Sequence, residues 1–456
     1  MKYAMDSLSF SITPGGALRG RLQVPGDKSI SHRAIILGAL AEGDTEIIGF
    51  LEGEDTLATL AAFRAMGVRV EARGPGRIRV CGVGAKGLSA PPGPLYLGNS
   101  GTSMRLLAGV LAGQPFPTEL TGDASLSRRP MGRVAEPLSA MGARITTTDA
   151  GTPPIKIQGG QALSGIDYEM PVASAQVKSA LLLAGLFAQG RTCVGEPAPT
   201  RDHTERMLPG FGYRPRRIPG KVCVTGGRVL RGGEIAVPGD ISSAAFFLVG
   251  ATIAEGSDLV LENVGVNPTR IGILRILGMM GADIRVSHER MAGGEPVADI
   301  RVRSHPLMGL RIPAEMVPLA IDEFPAIFIA AAFAEGETTV TGARELRTKE
   351  SDRIAVMAGG LRQLGVHAES TTDGMTIRGG RPTGGTIESH GDHRIAMAFA
   401  MAGIGAREPI LIEDCANVDT SFPGFAAAAA RVGLSITTIP DRVHESDSKP
   451  GPGVIQ

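Results

Sequence analysis

The sequence predicts an α/β protein built from six copies of one βα-type unit, and three observations predict it. Six segments of similar design open apolar helices: GDKSISHRAIILGAL from Gly26, GNSGTSMRLLAGVL from Gly98, ASAQVKSALLLAGLFAQG from Ala173, GDISSAAFFLVGATIAEG from Gly239, DEFPAIFIAAAFAEG from Asp322 and GDHRIAMAFAMAGIG from Gly391. Each is followed by a second helical stretch that closes on an apolar–Gly–strand step, at Gly67, Gly142, Gly212, Gly281, Gly365 and Gly433. Those glycines stand 75, 70, 69, 84 and 68 residues apart. That period is too long for a short solenoid repeat and suits a repeated supersecondary unit.

The first helices, of which Ala180–Ala188 is typical, are apolar nearly all round and are expected at the centre of the protein. The most apolar stretch, 324–334, follows Asp322 and Glu323 and reads as a core helix too short to span a membrane. The second helices are amphipathic: between Thr56 and Met66, Leu57, Leu60, Ala61 and Phe63 recur at helical spacing. Strands at 77–81 (RIRVC), 154–158 (PIKIQ) and 299–303 (DIRVR) alternate apolar and polar residues, so one face is expected to lie on helices. Three units per half give two pseudo-equivalent domains. The tetrapeptides Val24-Pro25-Gly26-Asp27 and Val237-Pro238-Gly239-Asp240 carry matching turn signals and mark two adjacent interdomain crossings. One domain is expected at 26–239 and the other from 1–25 with 240–456. The polar tail after Ile439 is expected to fray.

Composition narrows the function. Lys plus Arg and Asp plus Glu both number 46, so there is no net pull toward nucleic acid or a membrane surface, and any basic site must be local. The absence of Trp and an aromatic content of 4% argue against a base-stacking platform. Cys81, Cys193, Cys223 and Cys415 form no CxxC pair, so buried free thiols are expected rather than a zinc site or redox pair. The first sixteen residues contain no apolar core of signal-peptide length, and a cytoplasmic protein is expected.

Polar and charged residues gather where helices begin, and unpaired backbone N–H groups there attract anions. Lys28, Ser29 and Arg33 open the first unit; Asn99, Ser100, Thr102 and Arg105 the second; Ser174, Gln176 and Lys178 the third. Second helices add Arg128 and Arg129, Arg201 with His203, Arg270, then Lys349, Glu350 and Arg353; Asp392, His393 and Arg394 open the sixth first helix. Singly, such residues are commonly solvated charges or helix caps. Recurrence in several units instead predicts one cationic cleft for a polyanionic substrate. His32, His203 and His393 have no metal-ligand spacing, and no metal or cofactor is expected. Gly82–Gly87 fits GxGxxG, but Leu-Ser-Ala-Pro-Pro-Gly-Pro follows and cannot start the helix a dinucleotide needs. Pro25–Ser29 lacks the first glycine of a P-loop.

Seven segments, in order, carry a resemblance that covers nearly the whole chain: PGDKSISHR (25–33), GNSGTSMR (98–105), RRPMGR (128–133), SAQVKSALL (174–182), RDHTERML (201–208), LRTKESDR (346–353) and GDHRIAM (391–397). The chain resembles the 5-enolpyruvylshikimate-3-phosphate synthases. The resemblance implies two inside-out α/β domains, each of three βαβαββ repeats. It also implies transfer of an enolpyruvyl group from phosphoenolpyruvate to the 5-hydroxyl of shikimate 3-phosphate, with release of phosphate and no cofactor. It places Lys28, Gly101, Arg129, Gln176, Arg353 and Arg394 around phosphoenolpyruvate. Lys28, Ser29, Arg33, Ser174, Gln176, Arg201, Asp322 and Lys349 would hold shikimate 3-phosphate. Asp322 is then the base at the attacking hydroxyl, with Lys28 and Glu350 moving protons at the methylene carbon through a tetrahedral ketal. A monomer is implied, with no nucleic-acid or membrane partner.

Two departures accompany the resemblance. Asp419-Thr420-Ser421-Phe422-Pro423 lacks the Lys that many members carry before Thr-Phe-Pro. Together with SISHR and RDHTE, this resembles the subgroup often insensitive to glyphosate. Gly101 stands where that subgroup often has Ala, and Leu106 where many relatives have Pro. Rival readings are a UDP-N-acetylglucosamine enolpyruvyl transferase, whose usual Lys-Asn pair and loop Cys are absent, and a non-catalytic anion-binding protein of the same fold.

Overall fold

The computed structural model describes residues 8–440. The expected fraying of the tail falls, from residue 441 onward, outside the described residues; Pro440 itself ends a strand, Ile436–Pro440.

The six first helices form at Lys28–Leu40, Gly101–Ala112, Ala175–Gly185, Ile241–Ile253, Phe324–Phe333 and His393–Gly405, and nearly every residue of each is buried. A helix without a polar stripe has no face to offer water, so it must be enclosed by other elements. The last three pack pairwise against one another, and Gly101–Ala112 packs closely on Ala175–Gly185. Buried apolar side chains fall into two clusters. One spans Ile30 to Val237; the other joins Phe10, Ile12, Leu18, Leu22 and Val24 to residues from Ile241 to Leu434.

Sheets surround the helices, and their topology repeats. In the second unit the order is Leu95–Tyr96, Thr118–Thr121, Ile155–Gln158, Arg144–Thr146; the first pair is parallel and the others antiparallel. The third unit repeats it with Asp167–Glu169, Arg191–Gly195, Lys221–Thr225 and Arg216–Ile218. Chain segments from elsewhere complete the first, fourth and sixth units, whereas the fifth is a three-stranded sheet of its own stretch, Glu337–Val340, Met375–Arg378 and His367–Ser370. Leu230–Arg231 and Glu234–Ala236 run parallel to Ala41–Ile48 in the first. Arg19–Leu22 leads the fourth, parallel to Asp258–Gly265. Leu8–Ile12 fills the sixth between Ile410–Glu413 and Ile436–Pro440.

The two Pro-Gly-Asp tetrapeptides lie side by side. Asp27 N–H donates to the Pro238 carbonyl at 2.8 Å, and Asp240 N–H to the Pro25 carbonyl at 2.9 Å. The site is tight: a Cβ on Gly26 would stand 1.8 Å from the Gly49 carbonyl oxygen.

The glycines that close the second helices all have positive φ: +90° at Gly67, +101° at Gly142, +76° at Gly212, +98° at Gly281, +77° at Gly365 and +117° at Gly433. Glycine reverses the chain there without the steric penalty of a Cβ. Among the described residues no helix is long and apolar enough to cross a membrane.

The expectation of free thiols fails at two cysteines. Cys193 and Cys223 form a disulfide, because antiparallel pairing of Arg191–Gly195 with Lys221–Thr225 sets them directly opposite, Cα atoms 4.1 Å apart. A sequence separation of 30 hides that register in the sequence.

Two glycine substitutions test the packing. A Cβ on Gly109 would lie 2.2 Å from the Ala180 carbonyl oxygen, so Gly109→Ala is expected to lose about 1–3 kcal/mol of stability. Exposed Gly278, in helix Gly272–Met279, has nothing within 4 Å of a Cβ, so Gly278→Ala is expected to gain about 0.4–1 kcal/mol. Urea unfolding measures both; midpoints shifted in the reverse order would contradict the close helix contact.

Candidate active site

Five of the six first helices start on a side-chain cap. Asp27, Ser100, Ser174, Asp240 and Asp392 each accept a hydrogen bond from a backbone N–H of the first turn. The remaining one, Phe324–Phe333, begins after Glu323 with Pro325 in its first turn. Capping fixes the direction of the next side chains, so Lys28, Gly101 and Arg394 stand at defined helix starts. Ser174 is both a cap and a candidate ligand: its hydroxyl oxygen accepts from Val177 N–H at 3.4 Å, which leaves its own O–H free to donate.

These starts meet at a cleft of about 390 Å³ between the two cores. It brings together Lys28, Ser29, Gly101, Arg129, Ser174, Gln176 and Arg201 from one side with Asp322, Lys349, Glu350 and Arg394 from the other. Two candidates stand behind its wall. Buried Arg33 donates to Thr204 Oγ1 (2.8 Å), Ser179 Oγ (2.6 Å) and the Ser29 carbonyl (2.9 Å), so it holds the helix start from beneath. Burial is the main cause that lowers its guanidinium pKa to about 10. Arg353, 1% exposed, donates to Asp392 Oδ2 (2.8 Å) and Glu350 Oε2 (2.6 Å). Its Nη1 lies 3.5 Å from Asp322 Oδ1.

Two carboxylates organise the cleft. Asp322 pairs with Arg201 across it, with Lys349 Nζ at 3.2 Å and with Arg353; its carbonyl accepts from Arg394 Nη1 at 3.1 Å. Burial pushes the Asp322 carboxyl up, but Lys349, Arg201, Arg394 and Arg353 outweigh it and hold it well below the usual carboxylate range. Glu350 lies 2.6 Å from Arg353 and 3.8 Å from Arg129. Burial again pushes up, and Arg353, Arg129 and Lys28 outweigh it and hold this carboxyl well below its ordinary value. Both groups are therefore ionised at neutral pH.

The surrounding cations are also positioned. Lys28 Nζ is 3.0 Å from Asp55 Oδ2. Arg129 donates to Asn99, and Arg105 to Gln176 Oε1 at 2.5 Å. Gln176 in turn donates to Thr102 Oγ1 at 2.8 Å. Burial, with Arg133 and Arg129 nearby, lowers the Arg105 pKa to about 10. His393 is pushed well below its ordinary value by burial, Lys28 and Arg394, so it is neutral. Among the described residues no group of three or more His, Cys, Asp or Glu side chains is placed to hold a metal ion.

Sequence reasoning missed several lining residues, among them Asp55, Arg133, Thr200, Arg344, Glu345 and Thr348. Glu345 Oε1, 2.8 Å from Lys349 Nζ, had a signal in its i,i+4 spacing. Arg133 lies inside the RRPMGR segment. Asp55 had no signal, because its partner Lys28 is 27 residues away.

The arrangement can grip several anionic groups while keeping two carboxylate bases among them. Comparison with known proteins agrees. A family model described as EPSP synthase (3-phosphoshikimate 1-carboxyvinyltransferase) matches residues 12–428. The 3-phosphoshikimate 1-carboxyvinyltransferase of Alkalilimnicola ehrlichii is 69% identical over 432 residues, covering 94% of this chain and 97% of that protein. That of Nitrosococcus oceani is 65% identical over 433 residues, covering 95% and 98%. The solved EPSP synthase of Acinetobacter baumannii superposes with a TM-score of 0.86 at 57% identity, covering 95% of this chain and all of that one. With its repeats, its shared cleft and these relatives, the chain belongs to the EPSP synthase family of 3-phosphoshikimate 1-carboxyvinyltransferases.

Proposed function

We infer that this protein transfers the enolpyruvyl group of phosphoenolpyruvate to the 5-hydroxyl of shikimate 3-phosphate and releases phosphate. The observation that carries the inference is the meeting of cations from beside both apolar cores around two ionised carboxylates in one cleft. The substrates bring two phosphates and two carboxylates, which Lys28, Arg129, Arg201, Lys349 and Arg394 can neutralise.

Ser29, Ser174, Gln176, Arg201 and Lys349 hold shikimate 3-phosphate, with Asp322 at its 5-hydroxyl. Lys28, Gly101, Arg129 and Arg394 surround phosphoenolpyruvate, and Arg33 and Arg353 support the two groups from behind. The 5-hydroxyl oxygen attacks the central carbon of phosphoenolpyruvate and gives its proton to Asp322, while the methylene carbon gains a proton. The resulting ketal then loses a methyl proton and phosphate to restore the double bond. Lys28 and Glu350 serve the proton transfers at carbon. Lys349, Arg201 and Arg394, three of the four cations that depress Asp322, are ones that the substrates' anionic groups engage. Binding therefore draws positive charge away from Asp322 and raises its basicity when a base is needed.

Because Arg201–Asp322 and Arg129–Glu350 join 26–239 to 240–456, we propose that these segments, the second with 1–25, are domains that close on substrate about the paired crossings. The cleft is assembled from a single chain, which supports a monomer, and we place the protein in the cytoplasm. The segment Asp419–Pro423, with no Lys, supports kinship with the subgroup often insensitive to glyphosate. Gly101 opposes that insensitivity, since a Cβ there would stand 3.0 Å from Arg105 Nη1 and 3.1 Å from Arg129 Nη1.

Phosphate release is expected with phosphoenolpyruvate and shikimate 3-phosphate and absent with UDP-N-acetylglucosamine; the opposite pattern would overturn the acceptor. Asp322→Asn is expected to lower kcat by about 10²–10⁴-fold with the fold intact, as for loss of a general base. A kcat within a few-fold of wild type would remove Asp322 from that role. Gly101→Ala is expected to raise the glyphosate inhibition constant more than the KM for phosphoenolpyruvate, and steady-state inhibition that shifts both equally would refute the steric account.

A further inference from the structure

At the crossing between domains sits a side chain that neither substrate is assigned to. Arg270, in the turn before helix Gly272–Met279, is 3% exposed. Its Nη1 donates to Asp27 Oδ2 at 2.9 Å. Its Nη2 donates to Asp240 Oδ1 at 3.1 Å and to Ser242 Oγ at 2.7 Å. One guanidinium thus grips the final residue of both Pro-Gly-Asp tetrapeptides, one from each strand of the crossing. Glu323 Oε1 lies 3.7 Å from the same Nη2, and Ser242 Oγ donates to Glu323.

Each partner adjoins a group of the cleft. Asp27 precedes Lys28, whose backbone N–H also lies 3.3 Å from Asp240 Oδ2. Glu323 follows Asp322. The Arg270 contacts therefore connect the backbone beneath Lys28, in one domain, to the backbone beneath Asp322, in the other. Arg270 itself borders the cleft.

We propose that Arg270 is a positioning residue that sets the distance between Lys28 and Asp322 across the interdomain crossing. This rests on the reaction assigned above. A guanidinium suits the task because its planar fork fixes two carboxylates at a set separation, which an ammonium cannot do. Anion binding depends on other side chains, Arg129, Arg201, Lys349 and Arg394, so loss of the fork should act on the chemical step more than on substrate affinity. A misplacement near 1 Å of reacting groups costs on the order of 10²-fold in rate.

The test uses the full-length protein with Arg270→Lys and Ser242→Ala. Arg270→Lys keeps the charge that neutralises the buried aspartates but loses the fork. Ser242→Ala keeps both aspartate contacts and removes the hydroxyl that accepts from Arg270 Nη2 and donates to Glu323, leaving only the longer direct approach of Arg270 to Glu323. For Arg270→Lys, kcat is expected to fall by about 10–100-fold. Both KM values and the calorimetric Kd for shikimate 3-phosphate should stay within about threefold, with the thermal transition still cooperative. Ser242→Ala should lower kcat about tenfold with the same split, and it carries the test should Arg270→Lys not fold. Unchanged kcat in the folded variants overturns the proposal, as does a loss of activity that merely tracks the folded fraction. Wild-type turnover separates the two claims: its absence with shikimate 3-phosphate overturns the assigned reaction, whereas normal turnover in the variants overturns only the role of Arg270.

Discussion

Everything in this molecule follows from six helices that have no polar side. Ile241–Ile253 and Phe324–Phe333 are buried along almost their whole length, so sheets must go outside and helices inside, the reverse of the usual α/β layering. The only places such helices can carry polar residues are their ends. Packing three of them together in each half brings those ends into reach of one another. The reactive chemistry of the protein is therefore at the one part of each helix that burial leaves available.

That arrangement also settles the electrostatics. A chain with equal numbers of acidic and basic residues still makes a cationic cleft, because Lys28, Arg129, Arg201, Lys349 and Arg394 converge while many other charges pair on the outer sheets. Outer pairs such as Arg301–Asp258 are half exposed and contribute little. Inside the cleft, Asp322 and Glu350 provide the counter-charges that keep so many cations together in the absence of substrate. On the proposed reaction, a polyanionic ligand competes with those counter-charges rather than entering an empty positive field.

Much of this was legible in the sequence, since the informative features are local. Helix periodicity, the closing glycines with positive φ and the Asp and Ser caps are written within a few neighbouring residues. Side-chain direction was less legible. Arg33 and Arg353 share segments with cleft residues yet point behind the wall, because one helical turn carries side chains to opposite faces. Pairings over long separations were legible only where a repeated tetrapeptide marked both partners, as at the two Pro-Gly-Asp crossings. Cys193 with Cys223 depends on strand register, Asp55 with Lys28 on helix packing, and Arg270 with Asp27 on a contact 243 residues apart. Periodicity in one dimension carries no information about such registers.

The strand Leu8–Ile12 lies between Ile410–Glu413 and Ile436–Pro440. Synthesis runs at about 5–20 residues per second, so this strand waits on the order of 20–80 s for its neighbours. Throughout that time Phe10 and Ile12, both buried in the finished sheet, have no native cover. The intervening segment can meanwhile complete its own core from Ile30 to Val237. The strand order thus lets the inserted half complete its core first, and it leaves Leu8–Ile12 among the last pieces to find their partners. A chaperone that shields that one short apolar segment would protect the chain through this interval.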